Sequence, residues 1–335
     1  MDTLSRLTDK LGSGRVVENK NLSPYFTMKL ETAAQYYFEA ETADEIVLSY
    51  LTAKELGIPY FLLGGGSNIA VLKSVIPGLV VRNMYQKKEL LSEDDDSAEL
   101  LVSSGYSTTR LARETAEEGL EGLEFHLGLP GTVGGGVAMN SKWAAPMGYP
   151  GSFPKYMGDP LLWARIMRTD GTVHKAEHDY FRFAYDYSVI KDTGEIILDC
   201  VFKLKKGNVE ELVKRGKDAM EYRRKTQVVG QPTCGCMFQN ISDALQLEKQ
   251  LPTKSAGYLV DQCGWKNRGV GDFVVSEKHA NFIINQGKGK PEDLTKLITE
   301  IKQSVKEKFG VEDLDRNNNP KSKLIQSYTK HTTPK

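Results

Sequence analysis

Hydrophobic positions fall into helical register at a few clear places along the chain. Ile46, Val47, Tyr50 and Leu51 share one face of a segment that Thr42 opens, with Glu45 three residues on as a capping box. Gly57 can close it in the left-handed conformation, so the spacing predicts a helix over Ala43–Leu56. The same reasoning predicts a short helix over Thr108–Glu118 closed by Gly119, and a polar helix over Lys205–Gln227 at a domain junction. Pro291–Phe309 is the clearest helix, with proline first, Glu292 and Asp293 in its opening turn, Gly310 after it and an apolar stripe from Leu294 to Phe309. Apolar runs predict strands at Ile58–Leu63, at Leu79–Val81 after a Pro77-Gly78 turn, at Glu99–Ser103 after an acidic loop, at Ala164–Arg168 and at Glu195–Leu204. Asp170-Gly171 reads as a hairpin turn. Phe125 to Ser141 is filled with glycine and reads as loop, and Ser141–Pro160 lacks periodicity and reads as an irregular excursion, a lid being one use for it. From Asn317 onward the sequence is polar and expected to be disordered.

Composition narrows the possibilities. The chain has 335 residues, 40% of them apolar and 26% charged, which suits two soluble globular domains. Lysine plus arginine number 44, as do aspartate plus glutamate, so the basic excess of a nucleic-acid or anionic-membrane binder is missing. No run approaches the roughly 18 uncharged apolar residues of a membrane span, and the first residues are too charged for a signal peptide. Four cysteines in so long a chain do not make a disulfide framework, which points to a reducing cytoplasm. Cys234-Gly-Cys236 with Cys263 and His279 fits no common zinc spacing, so no metal is expected. The 31 glycines are bunched.

Gly64-Gly65-Gly66 lets backbone N–H groups approach an anion, because no β-carbon intervenes, and Ser67 and Asn68 add side-chain donors. A pyrophosphate suits such a loop; a plain tight turn is the alternative. A second block, Gly128-Leu-Pro130-Gly131-Thr132-Val-Gly134-Gly135-Gly136, follows in the same chain. Two such loops, each entered from a β-like segment, point to a dinucleotide. Neither fits G-x-G-x-x-G before a helix, which argues against a Rossmann-bound nicotinamide.

The residues around these loops carry a resemblance. Phe61-Leu-Leu-Gly-Gly-Gly-Ser-Asn68, Gly122-Leu-Glu-Phe125, the second glycine block with Asn140, Ala256-Gly-Tyr-Leu-Val-Asp-Gln262 and Ser276-Glu-Lys-His-Ala-Asn-Phe282 are similar to the UDP-N-acetylenolpyruvoylglucosamine reductase (UDP-N-acetylmuramate dehydrogenase) family of peptidoglycan precursor synthesis. The likeness runs from about Leu22 to Glu312. It implies an α+β protein: an N-terminal segment (1–20), a two-lobed FAD-binding domain of the vanillyl-alcohol-oxidase (PCMH) type (21–205, lobes about 21–85 and 86–205), a substrate domain (206–316) and the tail (317–335). It implies non-covalent FAD, with Ser67 where related oxidases tether the flavin through histidine, and NADPH as hydride donor. Cofactor contacts would come from Gly64, Gly65, Gly66, Ser67, Asn68, Gly105, Gly128, Pro130, Gly131, Thr132, Gly134 and Gly135. A nucleotide-sugar would meet Arg223, Asn240 and Gln262, in a protein expected to be monomeric.

Several positions depart from the family. Its enolate-stabilising arginine sits in a Tyr-Arg-x-Ser motif; here Tyr185 and Ser188 keep their places but Asp186 stands at the arginine. A carboxylate repels an enolate. Arg182 lies four residues away, on the same face of a presumed strand. Cys236 replaces the proton-donating serine, and a thiol is a competent acid there. The catalytic glutamate has no clear counterpart among Glu312, Asp313, Asp315 and Arg316, and Lys29–Ala33 lacks the family's paired glycines. Arg223-Arg-Lys225 can meet a diphosphate or simply end a helix. Three readings stay open: the family reaction with Cys236 as acid, a different FAD reaction on another nucleotide-linked or carboxylated substrate, or a non-catalytic flavin or nucleotide binder.

Overall fold

The computed structural model describes residues 2–144, 149, 154–312, 314 and 324–325. The chain opens with α1 (Thr3–Leu11), β1 (Val17–Asn21), β2 (Ala33–Ala40), α2 (Ala43–Glu55), β3 (Tyr60–Leu63), β4 (Ala70–Val71) and β5 (Val75–Asn83). There follow β6 (Lys88–Glu93), β7 (Ser97–Ser103), α3 (Thr108–Glu117), β8 (Leu120–Glu121), α4 (Val133–Ala138), β9 (Lys142–Trp143) and β10 (Lys155–Tyr156). Next are β11 (Leu161–Met167), β12 (Val173–Glu177), α5 (Ile190–Thr193), β13 (Ile196–Lys206) and α6 (Val209–Thr226). The last part holds α7 (Asp243–Glu248), α8 (Ala256–Gln262), β14 (Gly269–Val270), β15 (Phe273–Val275), β16 (Ile283–Asn285), α9 (Pro291–Phe309) and β17 (Leu324–Ile325).

Two compact units share this chain. The first holds Met1–Val17, Tyr36–Gly65 and Gly78–Lys225; the second holds Glu18–Gln35, Gly66–Pro77 and Thr226–Lys335. In the first unit an antiparallel sheet runs β12-β11-β13-β7-β6, with β8 also on β13. Its central strand β13 is buried from Ile197 to Phe202 save for slight access, which is why that stretch, Asp199 apart, is apolar without alternation. Leu100, Val102, Ala164, Ile166 and Phe202 pack with Leu111 of α3 and Val133 and Val137 of α4. A separate cluster joins Met167 and Leu198 to Ile46 and Ala53 of α2, Phe38 of β2 and Leu7 and Leu11 of α1. Asp199 lies in this interior with its side chain at 0% exposure, and both its oxygens accept from Arg165 Nε at 3.1 and 3.0 Å. A buried carboxylate requires such a partner. β3 lies parallel to β5, with Tyr60 opposite Leu79 and Leu63 opposite Arg82.

In the second unit the antiparallel sheet β14-β15-β16 packs with α9. Leu294, Leu297, Ile298, Ile301 and Val305 are the buried stripe of that helix, and Gly310 ends it at φ 64. Leu259 and Val260 of α8 are buried as well. β4 pairs in parallel with Leu324–Ile325; the rest of the polar tail lies outside the described residues.

Several expectations change. α1 was not foreseen; Asp2 caps it by accepting from Ser5 N–H at 2.8 Å, and Leu7 and Leu11 hold it to the core. Pro77-Gly78 is no turn, because β5 runs straight through it. Gly78 is needed there at φ 80, where a Cβ would fall 2.1 Å from the Pro59 carbonyl oxygen. The second glycine block is not all loop: Gly134, Gly135 and Gly136 lie in α4, and a 3-10 turn at Glu124–His126, not a strand, leads toward it. Of the expected excursion 141–160, Lys142–Trp143 and Lys155–Tyr156 form a small antiparallel pair, while residues 145–148 and 150–153, where a lid would lie, are outside the described residues. Arg182 and Asp186 are not strand residues but take φ 47 and 49 in tight turns.

Candidate functional site

Three glycine-bearing segments meet in the first unit. β3 delivers Gly64 and Gly65 against the chain that enters α4, where a Cβ on Gly64 would lie 2.6 Å from Thr132 Oγ1 and one on Gly65 would lie 2.6 Å from Gly131 Cα. Beyond β7, Gly134 N–H donates to the Ser104 carbonyl at 2.9 Å, and a Cβ on Gly134 would lie 2.6 Å from Ser104 Cβ. Val133 N–H donates to Tyr106 O at 2.9 Å, and Thr108 N–H donates to Gly131 O at 3.1 Å. Gly105, between Ser104 and Tyr106, has Asn83 Oδ1 and Tyr85 O where its Cβ would be, at 2.4 and 2.6 Å. Asn83 Nδ2 in turn donates to Ser104 Oγ at 2.8 Å. Asn83 therefore orders this junction, although its sequence surroundings carried no signal for it.

Most of these glycines are thus demanded by close backbone approach within the protein. Gly135 differs: it is exposed, and the nearest atom to its missing Cβ is Thr132 Oγ1, an ordinary 3.6 Å away. A side chain there would occupy space the protein itself leaves open, so the surface fits a flat or phosphorylated ligand approaching along the backbone. Gly128 is set by the fold, with its N–H donating to Thr109 Oγ1 at 2.7 Å and Met220 Cγ 2.9 Å from where its Cβ would be. Pro130 is exposed at the rim of the same turn. Gly66, Ser67 and Asn68 belong to the second unit. Gly66 takes φ 61, a Cβ there would fall 2.1 Å from Tyr25 O, and its own carbonyl accepts from Thr27 N–H at 3.1 Å.

Elsewhere in the first unit, Tyr185 is 40% exposed beside Asp186. Ser188 is wholly buried and donates to Ala138 O at 2.7 Å, so it anchors this turn to the end of α4. Arg223 of α6 is 7% exposed, with Nη2 donating to Phe125 O at 3.4 Å. Burial lowers its pKa to about 10, which leaves it charged at neutral pH. His126 is fully buried, and burial first and the Arg223 guanidinium second push its pKa down to about 3. Glu124, 1% exposed, is pushed up by burial despite accepting from Gly122 N–H at 2.8 Å. His126 and Glu124 were not singled out from sequence.

In the second unit the segment holding Cys236 is pinned by Asn281. Met237 N–H donates to Asn281 O and Phe238 N–H to Asn281 Oδ1, both at 2.7 Å, and Asn281 Nδ2 returns a bond to Phe238 O at 2.9 Å. Cys236 itself is half-buried and bridges Phe282. Asn240 Oδ1 accepts from Ala256 N–H at 3.1 Å, which makes it a brace for the start of α8. Gln262 ends α8, and its carbonyl accepts from Lys308. Among the described residues no three His, Cys, Asp or Glu side chains are grouped as a metal ion would require.

A family model described as FAD binding domain matches residues 34–177, and one described as UDP-N-acetylenolpyruvoylglucosamine reductase, C-terminal domain, matches residues 227–316. The UDP-N-acetylenolpyruvoylglucosamine reductase of Bacillus pumilus is 32% identical over 300 residues, 89% of this chain and 92% of its own length. The chain belongs to the UDP-N-acetylenolpyruvoylglucosamine reductase family. The Bacillus subtilis member is 31% identical over the same shares of both chains. The crystal structure of UDP-N-acetylenolpyruvylglucosamine reductase from Thermus caldophilus superposes with a TM-score of 0.68 at 27% identity, covering 92% of this chain and 97% of that one. Family membership brings the α+β class, an FAD-binding domain ahead of a family-specific C-terminal domain, and an oxidoreductase assignment.

Proposed function

We propose that the protein is the FAD-dependent reductase of the enolpyruvyl group of UDP-N-acetylenolpyruvoylglucosamine, driven by NADPH, in peptidoglycan precursor synthesis. The observation that carries this is the convergence of three glycine segments with Gly135 open beside them, on residues matched by an FAD-binding family model. FAD, when bound, supplies two-electron hydride chemistry between a nicotinamide and an activated double bond. The backbone of Gly64, Gly65 and Gly131–Gly135 would hold its pyrophosphate and flavin, with Gly66, Ser67 and Asn68 continuing the first loop. No covalent tether is available at Ser67.

Cys236 serves as the acid. Hydride adds to one carbon of the double bond and the Cys236 thiol protonates the other, giving the saturated lactyl ether and NADP+; solvent then restores the thiol. Arg223, charged at neutral pH, contributes to holding the nucleotide diphosphate, while Asn240 and Gln262 shape the nucleotide-sugar site. Residues 206–316 form the substrate portion. Among the described residues no helix is long and apolar enough to cross a membrane, and we infer a monomer working in the reducing cytoplasm.

The visible spectrum of the purified protein tests the proposal. Flavin bands that bleach with NADPH and return on adding the enolpyruvyl UDP-sugar support it. Asp186 favours one competing reading, an FAD reaction on another carboxylated or nucleotide-linked substrate; bands that bleach but ignore the sugar would support that reading. A protein that takes up no FAD would end both and leave the non-catalytic one.

A further inference from the structure

The turn that carries Asp186 is tightly built. Ala184 and Tyr187 exchange both backbone hydrogen bonds, at 3.1 and 3.2 Å, and Asp186 takes φ 49 at its tip. Two lysines stand against this turn: Lys191, whose Nζ donates to Asp186 O at 3.2 Å, and one from a different part of the chain. Lys142 Nζ stands 3.7 Å from the centroid of the Tyr185 ring.

Its neighbours fix that placement. Asn140, 3% exposed, donates from Nδ2 to Ala184 O at 3.0 Å and accepts at Oδ1 from Gly158 N–H at 3.1 Å, which ties the start of β9 to the turn. Trp143, 2% exposed, stacks on Phe125 with ring centroids 4.9 Å apart. Lys142 itself is in register with Tyr156 across β9 and β10. The backbone of Lys142 is therefore held on both sides, while its ammonium lies over a ring that is 40% exposed. An ammonium is a compact charge with three donors and needs no planar match, so it can serve a carboxylate where a guanidinium is missing.

We propose that Lys142 is the catalytic cation of this reductive site and pairs with the carboxylate of the enolpyruvyl group, in place of the arginine that Asp186 has displaced. The assignment rests on the reductase reading above. As hydride adds to the terminal carbon, the π pair shifts to the carbon bearing the carboxylate and spreads into it. Lys142 donates hydrogen bonds to those oxygens as their charge grows, and neither gains nor loses a proton. The carbon that receives the electron pair then takes up a proton, delivered as in the reductase reading above, and the product is complete.

The test is anaerobic stopped-flow on the FAD-loaded protein: reduce the flavin with NADPH, mix with UDP-N-acetylenolpyruvoylglucosamine at several concentrations, and follow the return of flavin absorbance. Lys142→Met should bleach with NADPH at the wild-type rate and melt at the wild-type temperature, while its saturating reoxidation rate falls about 10²–10³-fold, the usual loss for one charge-stabilising donor. Lys142→Arg should stay within about tenfold of wild type, and adding Asp186→Arg to Lys142→Met should recover about tenfold or more. Lys142→Met that is reoxidised as fast as a fast wild type overturns this assignment alone. A loss matched by equal falls in NADPH bleaching and melting temperature overturns it in favour of a structural pin. A wild-type protein whose reduced flavin ignores the sugar overturns the reductase reading and this assignment together.

Discussion

On the proposed reading Gly135 leaves room for the ligand, whereas Gly65 is required by the fold. Gly135 lies within α4, where its Cβ would meet nothing nearer than Thr132 Oγ1 at 3.6 Å. Gly135→Ala should therefore stabilise the flavin-free protein by the ordinary helical difference of about 0.5–1 kcal/mol, a rise in melting temperature of roughly 1–3 °C. If the proposed cradle is right, the same methyl would fill space that FAD occupies. Overpacking of about 1–3 kcal/mol corresponds to about 5- to 150-fold weaker binding. Gly65→Ala should behave in the opposite way. Its Cβ would lie 2.6 Å from Gly131 Cα, against the roughly 3.5–4.0 Å that carbon atoms prefer, so the two loops must part by about 1 Å and the flavin-free protein should lose about 1–3 kcal/mol. Thermal melting of the flavin-free variants and titration of FAD by quenching of its fluorescence give both quantities. If Gly135→Ala melts higher yet binds FAD as tightly as wild type, the open face of α4 is not cofactor surface and the cradle has been misplaced.

The other predictions concern single side chains. The His126 imidazole, its pKa pushed down to about 3 by burial and by Arg223, stays neutral in the fold, while the unfolded chain takes up a proton near the ordinary 6.5. Its contribution is therefore whole above about pH 6.5 and lost as pH falls toward 3; by pH 4.5 about 2–3 kcal/mol should be gone. Urea unfolding at pH 7 and 4.5 should show that His126→Leu removes this part of the acid sensitivity, and an unchanged slope would refute it. Cys236→Ser should keep single-turnover reoxidation by the enolpyruvyl sugar within about tenfold of wild type, whereas Cys236→Ala should lose about 10²–10⁴-fold; full activity in the alanine variant would remove Cys236 as the acid.

What could be read from the sequence was local and periodic. α9 begins and ends where its proline, acidic first turn and Gly310 place it, and α2 starts at the Thr42 cap, whose side chain accepts from Glu45 N–H at 3.1 Å. Misreadings arose where a distant contact overrides local punctuation. Pro77-Gly78 looks like a turn, but a central strand continues through it because the Pro59 carbonyl approaches where any other residue would carry a side chain. Three consecutive glycines disfavour a helix by propensity, yet α4 forms because Val133 and Val137 are buried against β13 and β7, and its first N–H groups find Tyr106 and Ser104. α1 carries only two buried leucines, too few to stand out in a charged opening segment.

The candidate site shows the same division. Motif reading assigns roles by chain position, so it sees an acid at residue 186 and a missing cation. Charge acts through space, and the turn at Ala184–Tyr187 is built jointly with Asn140, which carries Lys142 to the Tyr185 ring. Likewise the side chains of Asn240 and Ser188 brace the start of α8 and the end of α4, so a motif position does not by itself define a ligand role. A lysine contributed from outside the motif could compensate for the lost arginine without restoring the motif. It would do so with a single compact charge where the guanidinium gave a planar fork. That difference predicts where the compensation is incomplete: a substrate carboxylate can still be neutralised, but its plane is no longer fixed by two parallel bonds. The cost should therefore appear in the hydride-transfer rate, which depends on orientation, more than in affinity for the sugar.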